Sequence, residues 1–82
     1  MKVTVKLFAA ARELAGDRES VDADLPEGAT IADLRQWLAE DCPALAPLLS
    51  SATFAIDADY AVDSMRLTPD VEVACIPPVS GG

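Results

Sequence analysis

The residues of this chain best suited to chemistry stand at its C-terminal end. The last seven residues read IPPVSGG, from Ile76 to Gly82. Two prolines stiffen a segment in an extended conformation, and glycine has no Cβ, so such backbone can enter a channel too narrow for a side chain. The reactive group that this segment would deliver is the terminal carboxylate of Gly82. The alternative is an ordinary frayed end, because chain ends are usually disordered.

Side chains that commonly catalyse reactions are scarce. The chain has no histidine, which is the commonest general base and metal ligand, so its serines have none to activate them. Its two cysteines, Cys42 and Cys75, are too few for a zinc site or an iron–sulfur cluster, which take about four ligands. We also find no glycine-rich phosphate loop. The sequence therefore predicts a chain that is not an enzyme on its own and that binds no cofactor or metal.

The charge of the chain limits its partners. Fourteen acidic and six basic residues give a net charge of −8. This argues against nucleic acid and against anionic membranes, and it suits a protein partner with a basic surface. The cluster Asp57, Asp59 and Asp63 is more typical of a solvated turn than of a catalytic pair. The N-terminus alternates polar and apolar residues and lacks the apolar run of a signal peptide, so we expect a cytoplasmic protein with two free thiols.

Hydrophobic periodicity predicts the elements that position the tail. Strands are expected at 2–8, 20–25, 53–57, 60–62 and 71–76, with helices at 9–15 and 31–41 and a short helical turn at 43–49. Thr30 and Asp33 form a variant of the capping box before the longer helix. The first and last strands alternate most strongly, so we expect them to pair in parallel at the centre of the sheet. The predicted fold is α+β, a β-grasp with a mixed sheet of about five strands and one main helix on one face. Residues 1–76 would form this domain and 77–82 an extended tail.

Two segments resemble a known family. LFAAARELAG, from Leu7 to Gly16, and EVACIPPVSGG, from Glu72 to Gly82, are together similar to the small subunits of molybdopterin synthase. These are ubiquitin-like, β-grasp sulfur carriers, and the resemblance extends over the whole chain.

The resemblance implies a carrier cycle. An E1-like adenylating enzyme would use ATP to activate the Gly82 carboxylate, and a sulfur donor protein would convert the acyl-adenylate to a thiocarboxylate. The tail would then enter the large catalytic subunit, within a heterotetrameric complex, and give its sulfur to a cyclic pterin phosphate during molybdenum cofactor biosynthesis.

The resemblance also assigns residues. Gly81 and Gly82 match the functional terminus. The expected contacts with partner proteins are Arg12, Ile76, Pro77, Pro78, Val79 and Ser80. Phe8 is expected in the core. The chain departs from the family at three places: Cys75–Ile76 replaces an aromatic pair, Asp57–Ala58 replaces an Asn-Gly type turn, and Pro69–Val71 replaces an Asp-Gly-Asp turn.

Two other functions remain open at this point. One is a sulfur carrier for thiamine or another thiolated product, although such carriers are usually shorter and lack FAAAREL. The other is a ubiquitin-like protein modifier or protein-binding module, in which Gly82 would end in an isopeptide bond.

Overall fold

Strands and short helices alternate along the chain in the order that the sequence predicts. A computed structural model describes residues 1–78 of the 82. The elements are β1 (Lys2–Leu7), α1 (Ala9–Leu14), β2 (Ser20–Asp24), α2 (Ile31–Asp41), a 3-10 turn (Pro43–Leu45), α3 (Ala46–Leu49), β3 (Thr53–Ile56), β4 (Asp59–Ala61) and β5 (Glu72–Ile76). Among these described helices, none has the length and apolar character needed to cross a membrane.

The strands form one mixed sheet in the order β2-β1-β5-β3-β4. β1 and β5 pair in parallel at its centre, with Val5 opposite Val73, and the other neighbours are antiparallel. The predicted parallel pairing of the first and last strands is confirmed. The sheet, with its helices on one face, is a β-grasp fold.

The core lies between the sheet and α2. Alternation along β1 and β5 turns one set of side chains inward, where they are buried, and leaves the other set on the outer face. The inward side chains pack against the apolar stripe of α2, which comprises Ile31, Leu34 and Leu38, all fully buried. Each such large side chain contributes about 1.5–3 kcal/mol to folding. Within residues 1–78, no helix covers the outer face, where Lys2 and Lys6 of β1 are exposed.

Helix α2 begins and ends at the residues that the sequence indicates. The Thr30 side chain accepts a hydrogen bond from the backbone N–H of Asp33, and the Asp33 carboxylate accepts one from the backbone N–H of Thr30 at 2.9 Å. The capping box is therefore complete, and the Asp33 charge suits the helix N-terminus. The helix ends at Asp41, since Cys42 precedes Pro43 and cannot easily remain helical.

A single arginine ties α2 to the loops beside it. The Arg35 guanidinium donates hydrogen bonds to the backbone carbonyls of Leu49 and Ala52, and it pairs with the Asp63 carboxylate at 2.8 Å. Its central carbon lies 4.9 Å from the centroid of the Phe54 ring, a cation–π distance. Arg35 thus joins the end of α3, the start of β3 and the loop after β4.

Two alanines adopt a backbone conformation that favours glycine. Ala58 has φ = 70° and Ala9 has φ = 50°. Asp57, at φ = 50°, precedes Ala58 in the two-residue turn that joins β3 to β4, and two positive φ angles identify that turn as type I′. The left-handed region costs alanine about 1–2 kcal/mol, because its Cβ approaches the next carbonyl oxygen. Gly16, with φ = 75°, adopts the same left-handed conformation after α1 at no such cost, as glycine commonly does beyond a helix C-terminus.

Element ends differ from the expectation by one residue at several places. β3 stops at Ile56 and β4 starts at Asp59, since Asp57 and Ala58 are used by the turn. The larger error concerns Phe8, which was expected in the core but is 47% exposed. β1 ends at Leu7, which points inward, so the next residue of the extended chain points to the outer face.

Candidate functional site

The outer face of the sheet carries an apolar groove of about 530 Å³. Its apolar lining comes from the residue after β1, from β3, β4 and β5, and from the β3–β4 turn. It comprises Phe8, Ala55, Ala58, Tyr60, Ala74 and Ile76. Tyr60 is 77% exposed, an unusual position for a large aromatic ring in a folded domain. Small side chains and the larger Phe8, Tyr60 and Ile76 line it together, so the face can receive an apolar projection from another molecule.

The groove continues to the base of the tail. A second depression, of about 380 Å³, shares Tyr60 and Ile76 with the first and extends to Thr53, Pro77 and Pro78. Pro77 is buried and Pro78 is exposed, so the tail leaves the domain from a fixed root at the end of β5. Neither proline can donate to a strand ladder, which explains why the strand ends at Ile76. The groove and this root are therefore adjacent parts of one surface.

Carboxylates border the groove. Asp57 and Glu72 both contribute to its lining. Glu72 forms an ion pair with Lys6 on the neighbouring strand, at 3.4 Å, and both side chains are about half exposed or more. Asp57 is exposed at the turn. Because Lys6 offsets the charge of Glu72, the net negative charge of the border comes from Asp57, and it favours a partner whose apolar projection has a basic group beside it.

The predicted site residues fall into three sets. Ile76, Pro77 and Pro78 lie together at the groove and the tail root, as described. Arg12 does not line the groove; its guanidinium forms ion pairs with Asp17 at 3.4 Å and Glu19 at 3.5 Å. Its contact with a partner stays a prediction. Val79, Ser80, Gly81 and Gly82 lie outside the described residues, so the expected role of the terminus stays a prediction too.

Sequence reasoning missed most of the groove. Phe8 was placed in the core, and Ala55, Tyr60 and Ala74 were not singled out. A signal was available for β5, because alternation places Glu72, Ala74 and Ile76 on one face. For Tyr60 the pattern was too short, since β4 has only three residues. Within residues 1–78, no three or more Cys, Asp or Glu side chains are grouped so that they could hold a metal ion.

The two cysteines are both free thiols, in different environments. Cys42 is partly exposed, and its Sγ lies 4.0 Å from the backbone carbonyl oxygen of Leu14. Cys75 is buried, and desolvation raises the pKa of its thiol from 9.0 to about 11, while the charge of Arg35 offsets part of the increase. The folded protein holds this proton more tightly than the unfolded chain. The resulting stability is therefore complete below pH 9 and is lost as the pH rises to about 11.

This difference predicts selective alkylation. At pH 8.5 we expect iodoacetamide to modify Cys42 in the native protein and to leave Cys75 unmodified, because the higher pKa alone reduces the thiolate fraction about 100-fold. In denaturant both thiols should react at similar rates. Mass spectrometry of peptides from the labelled protein measures this, with Cys42→Ala as the control that should leave the native protein unlabelled. Rapid native labelling of Cys75 would show that the strand is more accessible than its burial indicates.

Comparison with protein families and curated proteins gives consistent matches. The model of the ThiS family matches residues 5–82. The molybdopterin synthase sulfur carrier subunit of Chlamydomonas reinhardtii is 37% identical over 84 aligned positions, covering 100% of this chain and 100% of that protein. The protein of the same name from Caenorhabditis elegans is 34% identical and covers 100% and 99%.

Solved structures share the fold. SAMP1 from Haloferax volcanii superposes with a TM-score of 0.87 at 28% identity, covering 100% of both chains. A putative molybdopterin converting factor, subunit 1, from Pyrococcus furiosus gives 0.85 at 28% identity and covers 96% of this chain and 99% of that one. A complex of subunits 1 and 2 of molybdopterin-converting factor from Helicobacter pylori contains a chain with a TM-score of 0.70 at 19% identity, covering 100% of both chains, which supports the fold alone. The predicted ubiquitin-like β-grasp fold is confirmed.

Proposed function

Because this chain belongs to the ThiS family, we propose that it is the sulfur carrier subunit of a molybdopterin synthase. The observation that carries the proposal is the full-length similarity, at 34–37% identity, to curated proteins of that name. The apolar groove beside the tail root supports it, because a carrier must dock on the protein that receives its tail.

The proposed chemistry takes place at the Gly82 carboxylate. A carboxylate oxygen is a poor leaving group. The carboxylate would therefore attack the α-phosphorus of ATP in an E1-like enzyme, forming an acyl-adenylate and releasing pyrophosphate. A persulfide on a sulfur donor protein would then displace AMP and form an acyl disulfide. A thiol would cleave its S–S bond, leaving a disulfide on the donor side and releasing the thiocarboxylate, whose sulfur would pass to a cyclic pterin precursor in the large catalytic subunit. In this scheme the carrier is not catalytic on its own, since its partners supply the acid–base groups that a chain without histidine lacks.

The positions of the groove and the tail root suit a carrier that presents its tail to catalytic partners. Buried Pro77 fixes the root of the tail to the central strand, and the exposed groove beside it lies next to the point where a partner's channel would begin. Docking on the groove would hold the tail at a constant distance from the partner's active site, which removes the entropy of a free search. ATP binds to the adenylating enzyme in this proposal, and the carrier itself holds no cofactor. The heterotetrameric state and the cytoplasmic location stay predictions.

Thiocarboxylate formation tests the proposal directly. The purified chain would be incubated with ATP, a sulfur donor and the adenylating enzyme of the organism that encodes it. We expect its mass to increase by the difference between sulfur and oxygen, and the product to convert the pterin precursor when the large subunit is added. Omission of ATP is the control. A chain that gains no sulfur, or whose sulfur never reaches the pterin, would contradict the proposal.

Association with a basic partner should depend on salt. With a net charge of −8, we expect the association rate with the large subunit to fall about tenfold or more between low and high salt, because exposed charges are screened beyond about 8 Å at physiological ionic strength. The dissociation rate should change little, because apolar contacts around Ile76 and Val79 would determine it. Stopped-flow kinetics across a salt series measure both rates. An association rate that does not respond to salt would exclude electrostatic steering.

A protein modifier is the second candidate. It is favoured by the structural similarity to SAMP1 of Haloferax volcanii, a small archaeal modifier protein. In that case the activated Gly82 carboxylate would form an isopeptide bond with a lysine of another protein. Recovery of the tagged chain under denaturing conditions distinguishes the two functions: a modifier would be found attached to other proteins, whereas a carrier would be recovered unattached with a thiocarboxylate.

A further inference from the structure

The strained alanines of this fold are both found at the apolar groove. Five non-glycine residues in the described part have positive φ, and three of them are aspartates, which tolerate the left-handed region because their short polar side chain can bond locally. The other two are Ala9 and Ala58, whose methyl side chain has no such compensation. Ala58 lines the groove, and Ala9 directly follows Phe8, which lines it too.

Strain of this kind persists only where the surrounding structure imposes it, and it clusters where proteins bind their ligands. A glycine at position 58 would relieve the turn, because Asp-Gly is among the preferred sequences for a type I′ hairpin. It would also remove a methyl group from the groove lining. At position 9, the left-handed backbone turns the chain from β1 into α1 directly after Phe8, which the extended chain places on the outer face with 47% of its surface exposed.

We propose that Ala9 and Ala58 are positioning residues for docking, whose strained backbone shapes the groove for an apolar projection of the large molybdopterin synthase subunit. Ala58 supplies part of the lining, and Ala9 fixes the backbone directly after Phe8, which supplies another part. This inference rests on the proposed function, which identifies the occupant.

The occupant follows from the position and the charge of the groove. The groove is continuous with the tail root at Ile76, Pro77 and Pro78, so we expect the protein that receives the tail to cover it as well. Carboxylates of Asp57 and Glu72 lie in its lining and Lys6 offsets the charge of Glu72, so the projection is apolar and has a basic group beside it.

Opposite effects on stability and on affinity distinguish this role from a structural one. We expect Ala58→Gly and Ala9→Gly each to raise the Tm by about 4 °C, because each relieves a left-handed alanine. Ala58→Gly should weaken the Kd for the large subunit about fourfold, which is the loss expected from one buried methyl group. Ala9→Gly should also weaken it, because a glycine there loosens the backbone that holds Phe8 at the groove. A merely structural role would leave the Kd unchanged while the Tm rises.

The measurement uses the full-length chain and the purified large subunit from the organism that encodes it, with calorimetry for the Kd and thermal unfolding for the Tm. Asp70→Gly is the matched control, since Asp70 has φ = 64° but does not line the groove; its Kd should stay within about twofold of the unsubstituted chain. The inference is wrong, and the proposed function stands, if the unsubstituted chain binds the large subunit and both alanine variants bind it with the same Kd. The same conclusion follows if neither variant has a higher Tm than the unsubstituted chain. If the unsubstituted chain does not bind the large subunit, the proposed function fails and this inference fails with it.

Discussion

Deletion of Gly82 is expected to abolish sulfur transfer while leaving the fold intact. The shortened chain still ends in a carboxylate, but that carboxylate lies about 3.4 Å short of the position where the adenylating enzyme acts on it. A misplacement of 1 Å can already cost about 100-fold in rate, so adenylation and thiocarboxylate formation should both fall by at least that factor. A two-glycine tip beyond two prolines can bury almost no apolar surface, so the Tm should change by less than about 1 °C. Mass spectrometry of the sulfurated chain and thermal unfolding measure the two effects.

The Gly81→Val variant separates the effect of tail length from the effect of channel width. Its carboxylate keeps the full reach of the tail, but a branched Cβ must enter a channel shaped for backbone alone. We expect a loss of sulfur transfer comparable to that of the deletion, again with an unchanged Tm. If either variant forms a thiocarboxylate and sulfurates the pterin at the normal rate, the tail is an ordinary chain end and the proposed carrier function is wrong.

Arg35→Met is expected to cause the largest loss of stability. Methionine keeps much of the apolar stem but removes every donor, so the carbonyls of Leu49 and Ala52 lose their charged partner and the ion pair with Asp63 is lost. Hydrogen bonds to a charged group are worth about 1.5–3 kcal/mol, and the Arg35 side chain is only 23% exposed, so we expect a loss of about 2–3 kcal/mol. For a domain of this size, that lowers the Tm by roughly 10–20 °C.

Arg66→Met provides the matched comparison, because it removes the same charge from an exposed position. Its free energy of unfolding should change by less than about 0.5 kcal/mol. Urea denaturation of both variants gives the difference without a temperature scan. Equal stability of the two variants would mean that Arg35 contributes only its charge and not its three contacts.

The sequence predicted the elements well because their signals are local. Thr30 and Asp33 lie three residues apart and cap α2 as expected, and the alternation of β1 and β5 correctly indicated a parallel central pair. Alternation also shows which residues of a strand share a face, so the outward position of Ile76 was open to prediction.

The groove was harder to predict because it is assembled across strands. Phe8, Tyr60 and Ile76 come from three separate parts of the chain, and only the strand order brings them together. Aromatic residues are buried more often than exposed, so that preference gave the wrong position for Phe8. The positive φ angles of Ala9 and Ala58 have no signal in the residue type itself, since alanine is usually a helix former. Nothing in the sequence distinguishes Arg35 from an ordinary charge on a helix surface, because its contacts depend on residues 14 or more positions away.

The parallel pairing of β1 and β5 also determines how the domain responds to mechanical load. A force that draws the tail into a partner acts along β5, toward its C-terminal end, while β1 runs in the same direction beside it. If the opposing force acts near the start of β1, the hydrogen bonds between the two strands lie across the direction of pulling and share the load together. These hydrogen bonds must then break simultaneously and cannot break one after another from one end of the strand. Under such a load the strand that carries the tail is held in a shear geometry. If the tail enters a partner's channel as proposed, this geometry would let it be withdrawn without unravelling the domain.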